Sequence, residues 1–260
     1  MIIFKDYTTD ELVMNLPCEV NEQIKVYPIS VKDYKRFIEY TKYLVYGKQH
    51  LGVPKEMTLL QAIVSAHVST LCGGKIDTND RKCIEAFDKV LKDIETLLSM
   101  LTKINFVYEI TKEGDFIFSN DDKTIVIDDN KFKTIRMITL KMNMLREPKI
   151  YEREIDKKWE EKALIARNKN NKNIELGEIL TIVRNVTHEK YEELIEMNMF
   201  QLYCDYFRIQ QVINHEDTTL FATVSEKVKI SDFVSSIVEV LYRDPTKDLN
   251  VKNDFTQYMT

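Results

Sequence analysis

Glycine and proline are scarce in this 260-residue chain, six and five residues respectively. That leaves little material for glycine-rich phosphate loops, a sandwich of many tight turns or a proline-rich linker. The six glycines fit neither a GxGxxG nor a GxxxxGK[ST] spacing, which disfavours the usual dinucleotide and P-loop sites. Four cysteines, Cys18, Cys72, Cys83 and Cys204, share no CxxC spacing and sit in apolar or helical surroundings, so buried free thiols are expected rather than a zinc ribbon or a disulfide framework. No apolar run approaches the roughly 20 residues that cross a bilayer. The opening MIIFKDYTTDELVMNL meets charge after three apolar residues and lacks a signal-peptide core, so the product is expected in the cytoplasm of the producing cell. A net charge of −5 gives no chain-wide electrostatic reason to seek nucleic acid or an anionic membrane.

What remains is 44% hydrophobic and 30% charged, the composition of an ordinary folded protein. The periodicity is mostly helical. A short helix is expected around Asp10 to Leu16, then an edge strand from Ile24 that stops at Pro28, which has no N–H to donate. Ser30 precedes a helix through Tyr46, ended by Gly47. Met57 to Leu71 reads as a buried helix stopped by Gly73-Gly74. Asn79 or Asp80 caps a second whose stripe runs from Cys83 to Leu101. Then the period changes to two. Residues 105–110, 115–119 and 123–127, separated by hairpin-length loops, predict a three-stranded meander that the Ile24 strand could extend.

Helical pattern resumes at Asn130 and closes at Arg146-Glu147-Pro148. A charged helix over 157–168 carries Trp159, Ala163, Leu164 and Ala166, and the polar 168–173 stretch reads as a mobile loop or linker. Beyond it lie a short helix over 174–186, a long one from Glu189 to Ile213, a strand or loop over 221–230, and a final helix from Ser231 to Leu241. The expected fold is therefore α+β, predominantly helical with one small antiparallel meander. Three regions are expected: 1–104, helical with a short edge strand; 105–167, the meander and following helices; and 168–260, helical.

No local signature of catalysis stands out. His188-Glu189 and His215-Glu216 each lack the second histidine four residues on that a helix-borne zinc site needs. His67 lies on an apolar stripe, where a hydrogen-bonded core histidine is expected. Cys72 falls at a helix carboxyl end, where the dipole disfavours a thiolate. Glu109, Asp115, Asp121, Asp122, Lys123, Asp128 and Asp129 crowd the hairpins, and carboxylates beside a lysine are what a magnesium-dependent nuclease uses. Acids in turns are equally what backbone hydrogen bonding demands. No metal and no cofactor is therefore expected, with the nuclease kept as the alternative.

The aromatic helix segments are the better candidates for function. Tyr34, Phe37, Tyr40, Tyr43 and Tyr46, spaced by three, drift slowly round a helix, and Met197, Met199, Phe200, Tyr203 and Tyr206 point to several sides of another. Such residues suit either a core rim or a partner surface, because Met repacks easily and Tyr adds contact area at modest entropic cost. We take Tyr34, Phe37, Tyr40, Tyr43, Met197, Met199, Phe200, Tyr203 and Tyr206 as the expected partner-binding set.

The order of these elements also resembles a known group. A strand ending in VYPIS, the helix KDYKRFIEYTKYLVYGK, a helix start at Met57-Thr58-Leu59-Leu60, the hairpins, the run Ile127 to Arg136 with Phe132 and Ile135-Arg136 after an acidic turn, the charged helix near 157–167 and the helix through 197–206 look like tail-region proteins encoded by phages and prophage-derived tail particles of Gram-positive bacteria. The resemblance implies a non-enzymatic tail or baseplate assembly protein, either a chaperone or a structural component. It implies other tail proteins (tube, tape-measure or baseplate) as partners, with homo-oligomers allowed, no membrane and no expected nucleic acid. Its place would be the host cytoplasm during assembly, or the virion tail.

Overall fold

The structure is a computed structural model, and it describes residues 9–74, 76–77, 79–112, 114–168, 174–234 and 236. Among them are ten α-helices and two small antiparallel sheets, an α+β fold dominated by helix. Contacts divide the chain into two compact units, Met1–Lys149 with Ile195–Gln201, and Ile150–Leu194 with Leu202–Thr260.

In the first unit, α1 (Thr9–Val13) leads to a two-stranded sheet, β1 (Cys18–Glu19) paired with β2 (Lys25–Val26). The strand expected at Ile24 thus joins its own hairpin and not the meander. The cause is local: Asn21 Oδ1 accepts the N–H groups of Gln23 and Ile24 at 3.0 and 2.8 Å, turning the chain back on itself. Beyond β2, the Tyr27 N–H donates to the Leu101 carbonyl at 2.8 Å.

The helix expected from Ser30 to Tyr46 is two helices, α2 (Val31–Tyr40) and α3 (Lys42–Val45). Thr41 makes the break: its hydroxyl and its N–H both go to the Ile38 carbonyl, at 2.8 and 3.2 Å, an alternative to continuing the helical ladder. After a 3-10 turn at Lys48–His50 comes α4 (Leu59–Leu71). Thr58 and Gln61 close a reciprocal box at its start, and Asp129 Oδ1 accepts the Leu60 N–H at 2.9 Å from far along the chain.

The long helix α5 (Arg81–Thr102) is capped by Asp80, and its apolar stripe is buried as the period predicts: Val90, Leu91, Ile94, Leu97, Leu98 and Leu101 are fully enclosed. Strands β3 (Val107–Ile110), β4 (Phe116–Ser119) and β5 (Val126–Ile127) form the expected meander in the order β3-β4-β5. Phe116 and Phe118, two apart and therefore on one face, are buried beneath it. Helix α6 (Asp129–Met142), capped by Asp128, adds Phe132 and Ile135 to the same core. Each such side chain contributes roughly 1.5–3 kcal/mol through burial.

The second unit holds α7 (Glu154–Asn168), α8 (Leu176–Thr187), α9 (Tyr191–Leu194) and most of α10 (Met199–Ala222). The single helix expected over 189–213 is interrupted at 195–198, for reasons given below. No strand forms over 221–230, which is turn and loop. Residues 231–234 are not helical, and the remainder of the helix expected to run to Leu241 lies, apart from residue 236, outside the described residues. So do most of the polar 168–173 stretch and the Thr8 cap expected for the first helix, while Ala163, Leu164 and Ala166 of α7 lie outside the described side chains.

Candidate functional site

The break at Thr41 decides what the tyrosine segment does. Beyond it, Tyr43 is buried, and its hydroxyl donates to Asp93 Oδ2 on α5 at 2.7 Å. Lys42 lies 4.8 Å over the Tyr43 ring and 3.9 Å from the same carboxylate, and the His67 ring of α4 stands edge-on at 4.7 Å. Burial, then the Asp93 bond, push the Tyr43 hydroxyl well above its usual range. His67 sits half-buried with Nε2 3.2 Å from the Lys42 carbonyl, and burial lowers its pKa. Phe37 is fully buried, with Tyr34 beside it at a centroid distance of 6.1 Å. Tyr34 and Tyr40 are half-buried, so within this stripe they and the exposed Tyr46 remain reachable.

The second aromatic set is organised by Asn198. Its backbone bridges Ser30, and the Met197 and Ile195 carbonyls accept the Val31 and Lys32 N–H groups at 2.8 and 3.0 Å. Two orphan donors at the start of α2 are satisfied in this way by a segment far along the chain. Asn198 Oδ1 accepts the Gln201 N–H and Gln201 Oε1 the Asn198 N–H, both at 2.8 Å, so α10 starts here instead of continuing from α9. Asn198 Nδ2 donates to the Leu12 carbonyl and to Asn15 Oδ1, both at 2.9 Å.

From that start, Met199, Phe200 and Tyr206 are buried. Of the nine partner-binding candidates, Phe37, Tyr43, Met199, Phe200 and Tyr206 therefore belong to the interior: Phe37 on the buried side of α2, the others on helices whose phase is reset by the two breaks. Met197, Tyr203, Tyr34 and Tyr40 stay half-accessible. The Tyr203 and Phe207 rings stack at 6.2 Å, and burial raises the Tyr203 hydroxyl pKa.

Among the described residues, five of the six hairpin acids, all but Asp121, have a side-chain or backbone partner. Glu109 pairs with Lys123 at 2.8 Å and accepts the Ser119 hydroxyl at 2.9 Å, and these two bonds hold its carboxyl below the usual range. Asp122 accepts the Thr124 hydroxyl at 2.7 Å, Asp115 accepts from Gln61 Nε2 at 3.1 Å, Asp128 caps α6, and Asp129 holds Lys133 at 2.6 Å besides capping α4. No group of three or more His, Cys, Asp or Glu side chains among the described residues is placed to hold a metal ion.

Two surfaces that sequence reasoning passed over are more open. In the first unit, Ile76, Ile84, Phe87, Tyr108 and Ile110 line an apolar groove of about 270 Å³ between α5 and β3. The Phe87 ring rests 5.5 Å from that of Phe116, and Glu95 Oε1 accepts the edge N–H of Tyr108 at 2.6 Å. In the second unit, α7 exposes Trp159 at 67% and Ile165 at 70%, and the end of α10 exposes Leu220 at 67% and Phe221 at 58%. Ile155 with Trp159 (four apart) and Ile213 with Leu220 (seven apart) each share a helical face. On α7 the signal was available, since Ile155 and Trp159 stand four apart among charged residues.

Comparison with known sequences agrees on origin. The SPbeta prophage-derived uncharacterized protein YomV of Bacillus subtilis (strain 168) is 31% identical over 137 residues, which cover 53% of this chain and 57% of that protein, so the chain spans little more than half the length of this relative. Residues 168–238 match a family model described as the YomV second domain. The chain is thus similar to a prophage-derived protein. No solved structure matches it. Among the described residues no helix is long and apolar enough to cross a membrane.

Proposed function

We propose that this is a phage-encoded protein of tail or baseplate assembly that works by protein–protein binding and not by catalysis, with tube, tape-measure or baseplate proteins as partners. The observation that carries the reading is the exposure of Trp159, Ile165, Leu220 and Phe221 in the second unit. Large apolar side chains left wet on charged helices mark surfaces that a partner dries. Similarity to a prophage-derived protein supports the phage context. A chaperone would work in the host cytoplasm and release its client, and a structural component would stay in the tail.

Quantitative mass spectrometry of purified particles against infected-cell lysate tests the reading. Stoichiometric presence in particles identifies a structural component. Presence in lysate alone, bound to a tail protein through a surface that Trp159→Lys disrupts, identifies a chaperone. A chain absent from particles and bound to no tail protein in lysate sinks the proposal.

A further inference from the structure

The meander of the first unit has an open side. Strand β3 pairs with β4 and with no other strand among the described residues, so its far side is an edge. The Thr111 N–H donates to the Asp115 carbonyl at 2.9 Å, which fixes the phase of the ladder. Glu109 and Val107 face Ile117 and Ser119 as hydrogen-bonded pairs, and the main-chain groups of Tyr108 and Ile110 point away from the sheet. Glu95 Oε1 takes the Tyr108 N–H at 2.6 Å, as the carbonyl of a neighbouring strand would. The Tyr108 carbonyl and the Ile110 N–H and carbonyl have no such cover among the described residues.

The groove of about 270 Å³ lies beside this edge, lined by Ile84 and Phe87 of α5, by Ile76 and by Ile110. Ile84 and Ile110 are each 55% exposed. The charged lining is acidic: Asp77 and Asp88, with no lysine or arginine. Asp88 is already matched, by Lys92 at 2.7 Å and by the Tyr108 hydroxyl at 3.0 Å. Asp77 accepts the Asn79 N–H at 2.9 Å and is in no ion pair among the described residues.

We propose that β3 is a strand-addition site: an extended segment of a partner protein, with apolar side chains at alternate positions and a lysine or arginine at its end, pairs with the edge at Ile110 and lies in the groove against α5. Free backbone groups beside an apolar groove require an occupant that brings both an unpaired backbone and apolar side chains on one face, and an extended strand brings both. Its main chain satisfies Ile110, every second side chain enters the groove, and its cation meets Asp77. Glu95 covers the Tyr108 N–H and so limits how far the pairing runs. Charge argues against a second copy of this chain as the occupant, because pairing β3 with its twin would add a second Asp77 to a groove whose lining holds no basic residue. The surface belongs to the first unit and does not depend on the tail-assembly reading.

The test is fluorescence anisotropy of the full chain with a labelled peptide KVTVTVK, which carries a lysine at each end so that either strand direction brings one to Asp77. Saturable binding is expected, with exchange of the Ile110 amide slowed at least tenfold at saturation, the mark of a backbone bond. Two further peptides, N-methylated at the valines or at the threonines, should differ at least tenfold in affinity, because alternate amides of an added strand face the edge. Ile84→Lys, a change at an exposed helix position, should weaken binding at least tenfold, and Asp77→Asn, which keeps the Asn79 bond, should weaken it about threefold at low salt. No binding up to about 1 mM peptide, an Ile110 amide left unprotected, equal losses from the two methylated peptides, unchanged affinity in Ile84→Lys protein, or a dimer of the free chain that itself protects the Ile110 amide would each overturn the proposal.

Discussion

Removing the Asn198 side chain should cost the first unit far more than one surface polar residue normally would. Asn198 is 2% exposed and makes four hydrogen bonds at once: its Oδ1 accepts the Gln201 N–H as the cap of α10, its own N–H donates to Gln201 Oε1, and its Nδ2 donates to the Leu12 carbonyl and Asn15 Oδ1. Asn198→Ala removes the cap, which is worth about 1 kcal/mol. It also removes the two Nδ2 bonds, to Asn15 Oδ1 and to the Leu12 carbonyl, which keeps the Asn15 N–H at 3.1 Å, at about 0.5–1.5 kcal/mol each. The sum is about 2–4 kcal/mol, or a fall of roughly 1–2 M in a urea midpoint at an ordinary slope. Asn198→Ser separates the two contributions: it restores a capping oxygen but not the Nδ2 donors, so it should recover about 1 kcal/mol and no more. The lone tryptophan, Trp159, is in the other unit, so fluorescence reports on the wrong place. Hydrogen exchange at the Gln201 amide, and at the Val31 and Lys32 amides bonded to the Met197 and Ile195 carbonyls, reads the site directly. A loss below about 0.5 kcal/mol in the alanine variant, the range of ordinary surface changes, would refute the reasoning.

Three further outcomes are expected. Tyr43→Phe, which removes a hydroxyl donated to the Asp93 carboxylate inside the α3–α4–α5 contact, should cost about 1.5–3 kcal/mol by chemical denaturation, and Asp93→Asn should weaken the effect because the acceptor is then neutral. Asp205 has its carboxyl pKa raised, first by burial and then by Glu189, so its ionised form is penalised only in the folded chain. The penalty is present above the folded pKa and vanishes below the unfolded value near 3.9, so Asp205→Asn should raise the melting temperature at pH 7 and leave it unchanged at pH 3. His67 has its pKa lowered by burial, so the folded chain resists protonation there: stability should decline as pH falls below about 6.5, and the decline should be shallower in His67→Gln protein.

The fold was legible wherever one local signal sufficed. The stripe of α5 and its Asp80 cap, the period-two runs of the meander and the glycine stop after α4 could all be read from neighbouring residues. What local pattern missed was competition. Thr41 looks like any helical threonine until its hydroxyl takes the Ile38 carbonyl, and Asn198 looks like any helical asparagine until Leu12 and Asn15, nearly two hundred residues earlier, claim its amide. A helix-interior asparagine costs only a few tenths of a kcal/mol, too little to announce a break, whereas four partners far outweigh that preference. The separate β1–β2 hairpin escaped for the same reason, since Asn21 decides it with two bonds to its own backbone.

Those two breaks also account for the mixed fate of the aromatic set. A stripe argument assumes one continuous helix, so that an offset in sequence fixes an offset in angle. Once α2 ends at Tyr40 and a new helix begins at Lys42, Tyr43 is no longer phased with Tyr34 and Tyr40 and turns toward Asp93. Once α10 begins at Met199, Met197 is outside it and Phe200 lies in its first turn, enclosed. Helix α7 is the converse case: Trp159 and Ile165 lie on an unbroken helix, keep their phase, and stay wet. Apolar surface buried after a break contributes to this chain's own stability, and apolar surface left exposed on a continuous helix remains free to bind. The partner surface proposed above is therefore better sought on α7 and the end of α10 than on the tyrosines that first suggest it.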